Sequence, residues 1–164
     1  MEYSFAGNEY INYILDTYSN MLIRLAFTYL KNTADAEDIV QEVFVALIKR
    51  GEGFDNDEHE KAWLIRVTIN KCKNFLNSGW TKRTVVLEDN ISTTDKHDED
   101  DIIGKVMALP EKYRTVIHLY YYEEYSIEEI ASLLGKSKGT IGTRLARGRA
   151  RLKTDIEKMG GSEK

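Results

Sequence analysis

Apolar residues return every three or four positions along most of this chain and hardly ever alternate, so the pattern predicts helices and no sheet. Ile11, Ile14, Leu15, Tyr18, Leu22, Leu25, Ala26 and Tyr29 mark a helix over 9–30. Asn32 or Thr33 then caps a second helix over 34–50, whose stripe is Ala36, Ile39, Val40, Val43, Phe44, Leu47 and Ile48. A third helix covers 60–77, with Trp63, Leu64, Val67, Cys72 and Phe75 on a broad apolar face and Ile65 and Ile69 beside them. Periodicity lapses over 78–101, where clustered acids with few apolar residues read as a flexible acidic linker. It resumes at 102–109. Leu109-Pro110-Glu111 is a turn with Pro110 at the first helical position. Tyr113, Val116, Ile117, Leu119, Tyr120 and Tyr121 belong to a helix that ends near 123–125.

The last periodic stretch carries the most chemistry. Ser126 and Glu129 have the spacing of a capping box ahead of Ile127, Ile130, Ala131, Leu133 and Leu134. Gly135 stands where a helix ends in a left-handed residue, and Ser137 can cap the next helix. That helix has Ile141, Leu145 and Leu152 as its buried stripe, with Ala146 and Ala150 as small spacers. Two helices joined by a short turn containing glycine form a helix-turn-helix. Its second helix carries Lys138, Arg144, Arg147, Arg149, Arg151 and Lys153, with no acid before Asp155. Six like charges repel on an isolated helix, and a counter-surface of phosphates reverses that sign.

The expected fold is therefore all-α: a helical domain over 1–78, a linker over 79–101 and a second helical domain over 102–158 that contains the helix-turn-helix. One proline and 42% hydrophobic residues fit this class. The net charge of −4 argues at first sight against nucleic acid. Its distribution changes that picture: 11 basic and 19 acidic residues fall in 1–101, against 12 basic and 8 acidic in 102–164. The basic half suits nucleic acid and the acidic half a different partner. Cys72 is the sole cysteine, which fits a reducing compartment. The first ten residues lack the basic start and apolar run of a signal peptide, and no apolar run is long enough to span a membrane, so a cytoplasmic location is expected.

Asp38, Gln41 and Glu42 share one outward face of the second helix, which by pattern alone reads as a solvated acidic surface. Trp63 and Phe75 keep the helical period and read as core, although aromatics interleaved with Lys and Asn also occur where single-stranded nucleic acid is held. Asp95, His97, Asp98, Asp100 and Asp101 could ligate a cation only if a rigid element held them. His59, His97 and His118 have no helical ligand spacing and no His-Cys cluster, so a metal-dependent hydrolase is a poor reading. A stand-alone DNA-binding regulator explains 109–153 but leaves the Asp38 face and the Trp63–Asn70 segment without a purpose.

Taken in order, these motifs are identified as those of a sigma-70 family RNA polymerase sigma factor, of the two-domain extracytoplasmic-function group. The run Asp35-Ala36-Glu37-Asp38-Ile39-Val40-Gln41-Glu42-Val43-Phe44 resembles the family helix that binds the clamp helices of the polymerase β′ subunit. Trp63-Leu64-Ile65-Arg66 with Asn70 is similar to the segment that opens and reads the −10 element. Leu109-Pro110 through Tyr121 and Ile127 through Lys153 resemble the −35 reader. The resemblance implies a non-enzymatic factor with neither cofactor nor metal. It implies that Asp38, Gln41 and Glu42 bind core polymerase, with the β flap as a further contact. It implies that Phe54, Asn56, Arg66, Asn70, Lys71 and Asn74 meet −10 DNA, an unstacked base entering the 53–60 loop. It implies that Lys138, Thr140, Thr143, Arg144 and Arg147 face the −35 major groove, with Arg149, Arg151 and Lys153 on phosphates or solvated. Gly142 departs from the family pattern, where a basic side chain is common. An anti-sigma factor, possibly membrane-anchored, is a further implied partner; a small-molecule substrate is not.

Overall fold

Seven α-helices and one π-helical turn make up the regular structure among the residues described, 8–78 and 98–161, in a computed structural model of the chain. No strand occurs among them. The chain divides into two units, Met1–Glu88 and Asp89–Lys164. Residues 79–97, most of the expected linker, lie outside the described residues, and with them Asp95 and His97 of the candidate cation ligands.

In the first unit α1 (Asn8–Leu30), α2 (Thr33–Arg50) and α3 (Asp57–Asn77) each pack against the other two. Ile14, Leu22 and Leu25 from α1, Val43 and Leu47 from α2, and Leu64 and Ile65 from α3 are fully buried. Each such side chain contributes about 1.5–3 kcal/mol. Asn32 caps α2, its Oδ1 accepting the Asp35 N–H at 2.8 Å. Asn56 caps α3 in the same way, through the His59 N–H at 2.9 Å. That cap starts α3 three residues before the expected Glu60, and Asp57 and Glu58 in the first turn suit the positive helix end. The buried side of α3 is Leu64, Ile65, Thr68, Ile69 and Cys72, while Trp63, Val67 and Phe75 are half-buried at its edge. Ile48 does not join the α2 core stripe: it is 46% exposed.

Glu60 departs furthest from the sequence pattern. It belongs to an acidic run, yet it is buried. Its carboxylate accepts the Tyr10 hydroxyl at 2.8 Å and the Tyr18 hydroxyl at 3.3 Å. A carboxylate taken out of water is tolerated only when hydrogen-bonded, so these two phenols tie α1 to the start of α3. Burial, and after it the Glu60 charge, push the Tyr18 phenol well above its ordinary value.

The second unit is built around its last helix. Its elements are α4 (Asp98–Ala108), α5 (Glu111–Ile117), a π-helical turn (His118–Tyr122), α6 (Ile127–Leu134) and α7 (Lys138–Gly161), and α4, α5 and α6 all touch α7. α4 begins four residues earlier than the pattern predicts, inside the acidic run. Pro110 is the N-cap of α5 and not its first helical residue. Arg114 is buried and ends α4: its Nη1 donates to the Leu109 carbonyl at 2.9 Å and to the Met107 carbonyl at 3.3 Å. Val116, Leu119, Ile130, Ile141 and Leu145 form the core.

Ala146 and Ala150 are exposed, so they are not the spacers of α7. Gly148 is. A Cβ there would lie 2.9 Å from Ile117 Cδ1 and 3.3 Å from Tyr113 Cβ, so its bare backbone is what lets α7 lie against α5. Among the described side chains of α7, Ile141, Leu145 and Gly148 are thus buried, and Leu152 is half-buried.

Candidate functional site

Local chemistry fixes the entry of α7. The Ser126 Oγ accepts the Glu129 N–H at 3.1 Å, and the Glu129 carboxylate accepts the Ser126 N–H at 3.0 Å, which completes the capping box on α6. Gly135, at φ 66°, ends α6 in the left-handed region, and the Lys136 N–H returns to the Ala131 carbonyl at 2.9 Å. Ser137 then caps α7 through the Thr140 N–H at 3.1 Å, and its hydroxyl donates to Thr140 Oγ1 at 2.9 Å. Hydrogen bonds within the protein thus define the turn on both sides.

An open groove beside this turn is lined by Ser137, Gly139, Thr140, Thr143, Arg144 and Arg147 of the turn and α7, and by Lys112 and Tyr113 of α5. Four of the five candidate −35 residues thus share one groove. Lys112 and Tyr113 were not singled out as DNA contacts from the sequence, because only the fold brings α5 beside α7. Arg147 and the Tyr113 phenol are neighbours in this groove. Burial pulls that phenol upward, but the Lys112 charge, the neighbouring Arg147 and the Arg151 charge together hold it below its ordinary value.

The remaining basic residues have different roles. Lys138 Nζ donates to Glu128 Oε1 at 2.8 Å, and that hydrogen bond and charge hold the Glu128 carboxyl below its ordinary value. The Arg149 guanidinium lies 5.5 Å from the Tyr120 ring and 5.7 Å from the Tyr121 ring, and that of Arg151 5.0 Å from the Tyr113 ring. Both arginines are exposed to solvent, each with its guanidinium beside an aromatic face.

In the first unit, the loop between α2 and α3 is held by a cation on aromatics. The Arg50 guanidinium sits 4.3 Å over the Phe54 ring and 5.5 Å from Trp63, and the two rings are 5.6 Å apart. Phe54 is therefore already packed, and the Oδ1 of Asn56 is engaged as a helix cap. From Trp63 the spacing of three and four residues carries Arg66, Asn70 and Asn74 along one exposed stripe of α3, with Lys71 half-buried beside it.

On α2, Asp38, Gln41 and Glu42 are all exposed. Val45, at 48% exposed, and Ile48, at 46%, extend the same face by helical spacing. The face is thus acidic with an apolar end. Among the described residues there is no group of three or more His, Cys, Asp or Glu side chains placed to hold a metal ion. No described helix is long and apolar enough to cross a membrane.

An all-helical two-unit chain, with an acidic helix face in one unit and a basic helix-turn-helix in the other, defines the class. The comparisons supply the family. The family profile Sigma-70 region 2 matches residues 14–81, and Sigma-70, region 4 matches residues 100–152. The ECF RNA polymerase sigma factor SigW of Bacillus subtilis is 30% identical over 165 residues, covering 89% of this chain and 88% of its own. The RNA polymerase sigma factor SigV of the same organism is 33% identical over 130 residues, covering 76% and 77%. The solved sigma factor RpoE of Bartonella quintana, in complex with the anti-sigma factor NepR, shares the fold at a TM-score of 0.72 and 22% identity, over 92% of this chain and 98% of that one. The chain belongs to the sigma-70 family of RNA polymerase sigma factors, in its extracytoplasmic-function group.

Proposed function

We infer that the protein binds core RNA polymerase and directs promoter-specific initiation of transcription by recognising −10 and −35 elements. The observation that carries this is the order of the two matched regions in one chain, region 2 and then region 4. It is not an enzyme. A stand-alone regulator would need only the second unit.

The work divides by unit. Residues 1–78 are the polymerase-binding and −10 domain, and 102–158 the −35 domain, joined through 79–101. Asp38, Gln41 and Glu42 dock on the β′ clamp helices, and Ile48 supplies an apolar contact beside them. Phe54, Asn56, Arg66, Asn70, Lys71 and Asn74 meet the opened −10 strand. Extracting a base costs a few kcal/mol, and a loop already packed by Arg50 and Trp63 has less entropy to lose when it receives one. Thr140, Thr143, Arg144 and Arg147 face the −35 major groove, where phosphate contacts position the helix and base contacts specify the sequence. Arg147, beside Tyr113 in the groove, is the candidate for a bidentate guanine contact, a class of contact that discriminates by about 1–3 kcal/mol. The factor acts in the cytoplasm, and an anti-sigma factor is its expected regulator, since the structural relative RpoE is held by one.

Gel filtration with bacterial core polymerase tests the reading. The wild type is expected to co-elute, and an Asp38→Ala, Gln41→Ala, Glu42→Ala triple variant, folded by circular dichroism, to elute alone. Failure of folded wild type to co-elute would overturn it in favour of a stand-alone regulator.

A further inference from the structure

Lys138 is the first residue of α7, where the positive end of the helix macrodipole disfavours a cation. Its ammonium donates a hydrogen bond within the protein, to Glu128 Oε1 at 2.8 Å. Glu128 lies ten residues earlier, in the first turn of α6, so one carboxylate bridges the two helices of the reader. Its neighbour Glu129 cannot take its place, because that carboxylate is engaged in the capping box. Both partners stand in solvent, with 67% and 71% of their side-chain surfaces exposed. The residues on either side of Lys138, Ser137 and Gly139, line the basic groove, so the pair stands at its rim.

We propose that Glu128 sets the DNA affinity of this surface by holding Lys138 on a protein carboxylate, so that a DNA phosphate must displace Glu128 to gain the ammonium. This rests on the reading of α7 as the DNA-facing helix. A lysine that neutralises a phosphate releases a condensed counterion and adds about 0.9 to the slope of log affinity against log salt. At 0.15 M salt that slope is worth about fivefold in affinity. A lysine held by a carboxylate forfeits most of that gain. The term withheld is the sequence-independent one, so Glu128 lowers binding to bulk DNA while leaving the base-reading Arg144 and Arg147 untouched.

The test uses the full-length chain as wild type, Glu128→Gln, Lys138→Gln and the double variant, each checked for folding by circular dichroism. Fluorescence anisotropy follows binding to a fluorescein-labelled duplex of about 30 base pairs and mixed sequence, as KCl rises from about 20 to about 200 mM. Glu128→Gln is expected to bind several-fold tighter near physiological salt and to steepen the salt slope by about 0.9. Lys138→Gln should stay within about twofold of wild type, and the double variant should lose the whole gain. An unchanged affinity and slope in Glu128→Gln overturns the proposal. So does a gain that survives in the double variant, which would be the general repulsion of an acid and not a held lysine. Absence of binding by every form, even at the lowest salt, would instead remove α7 as a DNA reader, and the proposal with it. Polymerase co-elution would then still stand or fall on its own.

Discussion

Two glycines on α7 should respond to alanine with opposite signs. Gly142 and Gly148 are six residues apart in the same helix. A Cβ at Gly142 meets nothing within 4 Å, whereas one at Gly148 meets Ile117 Cδ1 at 2.9 Å, Ile117 Cγ1 at 3.2 Å and Tyr113 Cβ at 3.3 Å. Alanine for glycine in a helix interior gains about 0.8–1.0 kcal/mol at either site. At Gly142 nothing opposes that gain. At Gly148 the added methyl must push back a side chain that is itself buried and a Cβ fixed to the α5 backbone, an overpacking cost of about 1–3 kcal/mol. The propensity term cancels between the two variants, so their difference is the overpacking cost alone. The expected outcome is that Gly142→Ala raises the melting temperature of the second unit by about 4–8 °C, while Gly148→Ala leaves it unchanged or lowers it by up to about 15 °C. Hydrogen exchange read by mass spectrometry on α5 and α7 peptides isolates this unit from the first. Equal stabilisation by both alanines would refute the close approach of α7 to α5.

The Tyr18 phenol is raised above its ordinary 10.0, so the folded state keeps a proton that the unfolded chain releases. The stability it contributes is complete below about pH 10 and is lost as pH climbs above it; Tyr18→Phe should flatten that part of the urea-midpoint profile relative to wild type. Arg114→Met removes a charged donor from two carbonyls at the end of α4 and should cost the second unit about 1.5–3 kcal/mol in urea unfolding. Ile48→Ser should change the stability of the first unit by less than about 0.5 kcal/mol, because the side chain is half in water. It should weaken core polymerase binding about tenfold by surface plasmon resonance, or about 1.4 kcal/mol.

What was legible in the sequence is what neighbours in the chain decide. The capping box of Ser126 and Glu129, the left-handed Gly135 and the α2 stripe from Ala36 to Leu47 each depend on residues within a turn or two, and each is present in the structure. The misreadings share a different cause. Ile48 continues the apolar stripe by composition, but it lies one residue beyond Leu47, about 100° further round the helix, and faces outward with Glu42 and Val45. Glu60 stood at the expected start of the third helix with nothing nearby in the chain to mark it as buried; the phenols that hold it come from 42 and 50 residues away. Among three small residues on α7, size alone did not reveal that Gly148, and neither Ala146 nor Ala150, faces α5. Lys138 is not a misreading: its charge suits a DNA contact, and only the fold shows that Glu128, on another helix, pairs with it.

The π-helical turn at His118–Tyr122 gives the length of that segment a meaning separate from its residues. Such a turn accommodates one residue more than an α-helical turn. In the gene that residue is a single codon. Its loss would let the segment close as ordinary α-helix and turn everything downstream by about 100° relative to α5. The tyrosines under Arg149 would leave it, and α6 would enter from the wrong side. Substitutions within the segment keep the register, whereas an in-frame deletion does not. An evolving lineage is therefore expected to vary the exposed Tyr121 and Tyr122 far more readily than the number of residues in the segment.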